Sequence, residues 1–96
     1  MTKAKQRPLV HDLKCSPPGF VEVAKGRKHV ELRVDDRDYQ VRDLLLLREY
    51  EDGEYTGRHC LARVTHLIRH GDPFGELLAP GVVAMSIRPY REPRSI

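Results

Sequence analysis

From Leu9 to Cys15 the chain alternates, with Leu9, His11, Leu13 and Cys15 on one parity and Val10, Asp12 and Lys14 on the other. A period of two is the pattern of a strand with one buried face. Ser16-Pro17-Pro18 then supplies a helix start, Ser16 as N-cap and Pro17 at the first helical position, where a missing N–H costs nothing. Phe20 and Ala24 are four apart and are expected to face the core together, and Gly26 stands where a helix can end in a left-handed residue. Lys28 to Val34 reads as a second strand, with Val30, Leu32 and Val34 on one face and His29, Glu31 and Arg33 on the other. Lys28 has the apolar parity, so it meets Glu31 and Arg33 only if the chain bends or bulges at the strand start.

Asp35-Asp36-Arg37-Asp38 is a turn by composition. The run Tyr39 to Asp43 leads into Leu44-Leu45-Leu46-Leu47, which suits a strand buried on both sides. Glu51-Asp52-Gly53-Glu54 marks the next turn, and Tyr55 to Ile68 a long strand with Ala62, Val64 and Ile68 on its core face. His70 to Gly81 reads as a loop with one helical turn around Phe74 to Leu78, and Val82 to Ile87 as a closing strand with Val83, Met85 and Ile87 inward. Five to six short strands with one or two short helices predict an α+β, mainly β domain: a small, strongly curved sheet or β-barrel. Periodicity alone leaves an OB-fold, an SH3-like barrel and related α+β domains open.

Composition narrows the class. At 96 residues, 40% hydrophobic and 6% aromatic with no Trp, the chain makes one domain with a modest aliphatic core. No apolar run reaches the length of a membrane span, and no apolar signal segment follows the basic Met1 to Arg7. A cytoplasmic protein without a membrane partner is therefore expected. Cys15 and Cys60 match no motif spacing and are expected to be reduced, a disulfide staying open only if their strands are neighbours. The net charge of +3 divides unevenly: residues 1–8 carry +3, residues 88–96 carry +2, and the stretch between them −2. The reading is a flexible basic arm over residues 1–8, one domain over 9–88 and a basic tail over 89–96. Such ends serve as solubilising tails or as electrostatic arms for a polyanion.

The densest chemistry lies between Gly26 and Arg37, where Lys28, Glu31, Arg33 and Arg37 flank or occupy one short strand. Buried charges need partners, and an exposed strand face is served by simpler polar residues, so fixed alternation of these side chains points to a site.

The order of residues also resembles a known pattern. His11-x-Leu13-Lys14-x-x-Pro17-x-x-Phe20 followed by Gly26-x-Lys28-x-x-Glu31-x-Arg33 is similar to the ASCH group of PUA-like domains. Asp36-Arg37-x-Tyr39-x-Val41-x-Asp43-x-Leu45-x-Leu47-x-Glu49-Tyr50 and Tyr55-Thr56-Gly57-Arg58 resemble one branch of it, small bacterial and phage proteins of unknown function with ASCH-like, RNA-binding character. The likeness runs from about residue 10 to residue 88. It implies a PUA-like β-barrel with a cleft beside Gly26–Arg33, in a superfamily of RNA-binding domains and a few enzymes. Among the latter are amidohydrolases of acetylated cytidine whose pocket holds a lysine matching Lys28 and an arginine matching Arg33. Where they have threonine this chain has Glu31, and their later catalytic glutamate matches no residue identified from the sequence. The chain also has Arg42 before Asp43, where the branch usually has Gly, a difference that bears on turn geometry.

Candidate roles follow. A Lys28 desolvated beside Arg33 could serve as base or nucleophile with Glu31 as acid/base, while an ion pair with Glu31 or a phosphate contact is the structural alternative. Arg33 and Arg37 suit phosphate, and Glu31 and Arg33 could equally brace each other. His11 either lines the cleft or is a satisfied core histidine. Lys14 stands just before the helix N-terminus, and Tyr55 and Arg58 could give stacking and charge to a single-stranded base. His59-Cys60 point opposite ways on a strand and His66 and His70 lie on a strand running into a loop, so no metal is expected. With no Gly-rich phosphate loop or nucleophile elbow, no cofactor is expected either. The leading expectation is a binding module for RNA or a nucleotide. The rivals are a small hydrolase acting on a modified nucleoside or RNA, and a phage or mobile-element protein that binds a host protein.

Overall fold

The alternation at the start of the chain becomes strand β1 (Val10–Cys15), followed by helix α1 (Pro17–Ala24) and strands β2 (Val30–Val34), β3 (Leu44–Glu51), β4 (Glu54–Ile68) and β5 (Val82–Pro89), with a 3-10 turn at Gly75–Leu77. The structure is a computed structural model and describes residues 6–91. The strands form one sheet in the order β1-β3-β4-β5-β2, with β1 parallel to β3 and the other pairs antiparallel. The sheet curls into a half-barrel with α1 packed against β3 and β4. No helix among the described residues is long and apolar enough to cross a membrane.

Local chemistry explains the turns. Ser16 caps α1 in extended backbone geometry without a side-chain bond, Pro17 occupies the first turn, and Gly26 stops the helix at φ 73°. Asp52 and Gly53, both at positive φ, make the tight β3–β4 hairpin, the two-residue turn whose twist matches antiparallel strands. The core holds Leu13, Phe20, Val23, Tyr39, Leu45, Leu47, Ala62, Val64, Val83, Met85 and Ile87.

Two packing expectations are corrected. In α1 the inward partner of Phe20 is Val23, three residues on, and Ala24 is exposed. In β4 the pairing with β5 slips between Val64 and His66, so Leu67, opposite Met85, packs on the core in place of Ile68. An inserted residue reverses parity beyond it. Cys15 and Cys60 are both free and lie on β1 and β4, with β3 between them. Two strand spacings, about 9–10 Å, exceed the roughly 7 Å that a disulfide spans.

Strand β2 lies opposite to the orientation its apolar residues suggest. Val30, Leu32 and Val34 are 51%, 60% and 66% exposed, while Glu31 is buried. The register decides this, because Glu31 lies opposite Met85 and Arg33 opposite Val83, both fully buried. Side chains directly opposite share a face, so the charged residues of β2 point into the half-barrel.

β1 and β2 are the edges of the sheet, and no backbone ladder joins them. The Leu9 carbonyl accepts from Leu44 N–H, so the odd residues of β1 bond toward β3 and the even ones toward the open edge. Two guanidinium groups close this seam: Arg33 Nη2 donates to the Lys14 carbonyl at 2.9 Å and Arg37 Nη1 to the Asp12 carbonyl at 2.8 Å. They blunt edges that would otherwise expose unpaired backbone.

Arg42 adopts φ 80° while its N–H donates to the Val64 carbonyl at 2.7 Å. A non-glycine residue there costs about 1–2 kcal/mol, and Arg42 is exposed. Arg42→Gly is expected to raise unfolding stability by about 1 kcal/mol, read from the urea midpoint. The inverted strand gives a second expectation. Leu32→Thr and Val34→Thr should each shift stability by less than about 0.5 kcal/mol, whereas Glu31→Ala should cost about 2 kcal/mol or more by leaving two cations unpaired. Equal losses at all three sites would contradict the orientation of β2.

Candidate functional site

Lys28 precedes β2 and is free of its alternation, which supplies the bend that the parity argument requires. Its Nζ donates to Glu31 Oε1 at 2.8 Å, and Arg33 Nε donates to Oε2 at 2.7 Å. Both carboxylate oxygens of Glu31 are thus used, and the three residues form one ion cluster. Cys15 and Gly19 border it: a Cβ on Gly19 would lie 3.6 Å from Cys15 Sγ and 3.8 Å from Lys28 Nζ. Burial, then the nearby Glu31, pushes the Cys15 thiol up despite Lys28 and Arg33, and burial does the same to Cys60. Both stay protonated near neutral pH, as members of the core and not as activated nucleophiles.

A second buried carboxylate, Glu49, lies on the same inner face, beside Cys15 in the β1–β3 register. It accepts from Arg58 Nε and Nη2 at 2.9 and 2.6 Å and from Thr56 Oγ1 at 2.7 Å, and Arg58 lies over the Phe20 ring at 5.1 Å. Sequence reasoning missed Glu49. Its signal was the run Leu45, Leu47, Glu49, one parity of β3 that ends in an acid. Arg58 and Tyr55 do not act together, because even positions of β4 (Arg58, Ala62, Val64) face inward and Tyr55 faces outward.

His11 does not line a cleft. It is buried, with Nε2 2.9 Å from Asp43 Oδ2 and its ring 4.6 Å from that of Tyr39. Asp43, also missed from sequence, is fully buried and accepts from the Leu9 and Gln40 N–H groups and from Arg7 Nη1 at 2.7 Å. Arg7, read from sequence as part of a flexible arm, is docked between Asp43 and Asp38.

The groove lies at the seam. A depression of about 510 Å³ is lined by Asp12, Leu13, Lys14, Arg33, Arg37 and Tyr55. A neighbouring one of about 370 Å³ shares Leu13, Arg33 and Arg37 and adds Tyr39 and Asp36. Neither is lined by Lys28 or Glu31, and the Glu31 carboxylate holds Arg33 from inside. The expected cleft beside Gly26–Arg33 is therefore centred on Arg33 and opens toward β1. It joins Lys14, Arg33, Arg37 and Tyr55, and it leaves out His11, which is enclosed, and Arg58, which is tied to Glu49. Among the described residues, no group of three or more His, Cys, Asp or Glu is placed to hold a metal ion.

Two carboxylates tie stability to pH. Hydrogen bonds from Arg58 and Thr56 hold the Glu49 carboxyl below its ordinary range. Burial pushes Asp43 up, but His11, the Leu9 and Gln40 N–H groups and Arg7 together outweigh it and hold this carboxyl low as well. A carboxyl lowered by folding adds stability that is present above its unfolded value, near 4, and is lost as pH falls through its folded value. Stability is thus expected to fall below about pH 4. Asp43→Asn should cost about 2 kcal/mol or more at pH 7 and make the acid limb shallower, as urea midpoints across pH would register.

Residues 10–87 match the family model described as Domain of unknown function (DUF3850). Over 56 residues the chain is 39% identical to an uncharacterized 12.9 kDa protein in the GpA 3′ region of Escherichia phage P2. That match covers 58% of this chain and 51% of the phage protein, so the chain spans about half the length of the curated relative. With the family match running from the start of β1 nearly to the end of β5, the chain belongs to the DUF3850 family of domains of unknown function.

Proposed function

We propose that this domain is a PUA-like, ASCH-type module that binds RNA or a nucleotide in the groove over the β1–β2 seam. The observation that carries this reading is the convergence of Lys14 from β1, Arg33 from β2, Arg37 from the following turn and Tyr55 from β4 on one groove of about 510 Å³. Arg33 spends Nε and Nη2 on protein acceptors and Arg37 spends Nη1. Among the described hydrogen bonds, Nη1 of the first and Nη2 of the second have no acceptor. Guanidinium groups fixed by one edge present the other to phosphate, which suits planar, bidentate recognition. Because the stretch between the basic ends is slightly acidic, attraction of a polyanion within that stretch comes from such a local cluster, with the basic ends adding to it.

One observation favours a hydrolase as a second reading. Glu49, from later in the chain, shares the inner face with Lys28 and Glu31, which together supply a lysine and two carboxylates. Turnover of an acylated cytidine that is lost in Lys28→Arg would carry that reading instead.

The binding reading is tested by fluorescence anisotropy with a short labelled single-stranded RNA over about 50 to 200 mM salt, the range in which phosphate contacts are strongly salt-dependent. Affinity should fall steeply with salt, and Lys14→Ala should reduce the slope of log K against log salt by about 0.7, one phosphate contact on a single strand. Salt-independent binding, or a slope unchanged in both Lys14→Ala and Arg37→Ala, would remove the groove from the proposal.

A further inference from the structure

Beyond the groove's cations, the outer face of the β3–β4 hairpin carries an aromatic pair, of which the expected site included Tyr55 but not Tyr50. Tyr50 and Tyr55 are opposite each other in register, with ring centroids 5.1 Å apart and planes at 74°. Each ring carries a cation: Lys14 Nζ lies 4.4 Å from the Tyr50 centroid and Arg48 Cζ 3.8 Å from that of Tyr55. Arg48 is also tied to Asp12 at 3.2 Å, and that bond holds its guanidinium over the ring. Tyr55 is still 43% exposed and lines the groove shared with Arg33 and Arg37.

We infer that Tyr55, braced by Tyr50 and Arg48, is a stacking platform for an unpaired base, and that the ligand of the groove is single-stranded nucleic acid. The inference rests on the binding reading above and specifies its ligand. Phosphate of the same nucleotide falls to Lys14, Arg33 and Arg37, which border the groove that Tyr55 lines. In a duplex the base faces are already stacked, and the deep, narrow major groove of double-stranded RNA keeps side chains out. An exposed aromatic ring beside a few fixed cations therefore suits a splayed strand, whereas duplex RNA is read across about 16 base pairs. A cluster of three cations around one small groove lacks that reach. Every base offers a π-face, so the platform holds a strand without choosing its sequence.

Because the chain has no Trp, its fluorescence comes from four tyrosines, Tyr39, Tyr50, Tyr55 and Tyr90, and the Tyr55 variants isolate the contribution of that ring. The test titrates the full chain with a short single-stranded RNA, the single-stranded DNA of the same sequence and the RNA duplex, following both affinity and tyrosine quenching. Both single strands are expected to bind and quench, and the duplex to bind roughly ten-fold or more weakly. Tyr55→Leu should lose roughly ten-fold or more in affinity with its melting temperature nearly unchanged, and Tyr55→Phe should restore binding while removing much of the quenching. A duplex bound as tightly as the single strands overturns the inference. So does an unaffected Tyr55→Leu alongside a weakened Lys14→Ala, a result that keeps the binding reading. If the parent chain binds none of the three nucleic acids, the binding reading falls together with this one.

Discussion

The half-barrel depends on how its open edges are held. β1 and β2 lie at opposite ends of the strand order yet are joined by only the α1 connection, and no ladder of backbone hydrogen bonds ties them. Two arginines do so instead, each donating to a carbonyl of β1. A guanidinium can bridge a gap too wide for a backbone ladder because it reaches on a long stem and offers several donors in a rigid fork. Glu31 supplies the counter-charge that fixes Arg33 from within.

That constraint accounts for the inverted strand. With Glu31 and Arg33 facing the interior, Val30, Leu32 and Val34 are left in solvent. Burying Glu31 is tolerable because both its oxygens are bonded to cations that are themselves only partly buried, so the charge is not stranded in a low dielectric. Asp43 and Glu49 follow the same rule, and among the described residues no buried side-chain polar atom lacks a partner. The cluster at Lys28 is thereby engaged in structure, while the surface beside it stays open at the seam.

The charge density of Gly26 to Arg37 was legible in the sequence, but the geometry of the ion cluster it forms was not. The need for a bend at Lys28 followed from parity alone, and the structure meets it by starting β2 at Val30. That Arg33 would reach a carbonyl of β1 was not legible, since nothing local says which two edges meet. Glu49 and Asp43 were within reach of sequence reasoning. Each falls on the buried parity beside a leucine run, but the run Leu44 to Leu47 read as buried on both sides and so lost its parity. Arg58 looked like a companion to Tyr55 by proximity, although three residues along a strand place two side chains on opposite faces.

Alternation, turn residues and caps determined by themselves that this chain makes short strands, one early helix stopped at Gly26 and a tight hairpin at Asp52-Gly53, because those choices depend on the backbone preferences of neighbouring residues. Only the tertiary structure decided which face of β2 is buried, where β4 slips its register and which side chains border one groove. Those outcomes depend on the partner strand: pairing with β5 turns Glu31 and Arg33 inward, and curling of the sheet brings Arg33 and Arg37 to β1. A strand's pattern marks two faces. Its neighbour selects the one that goes inside.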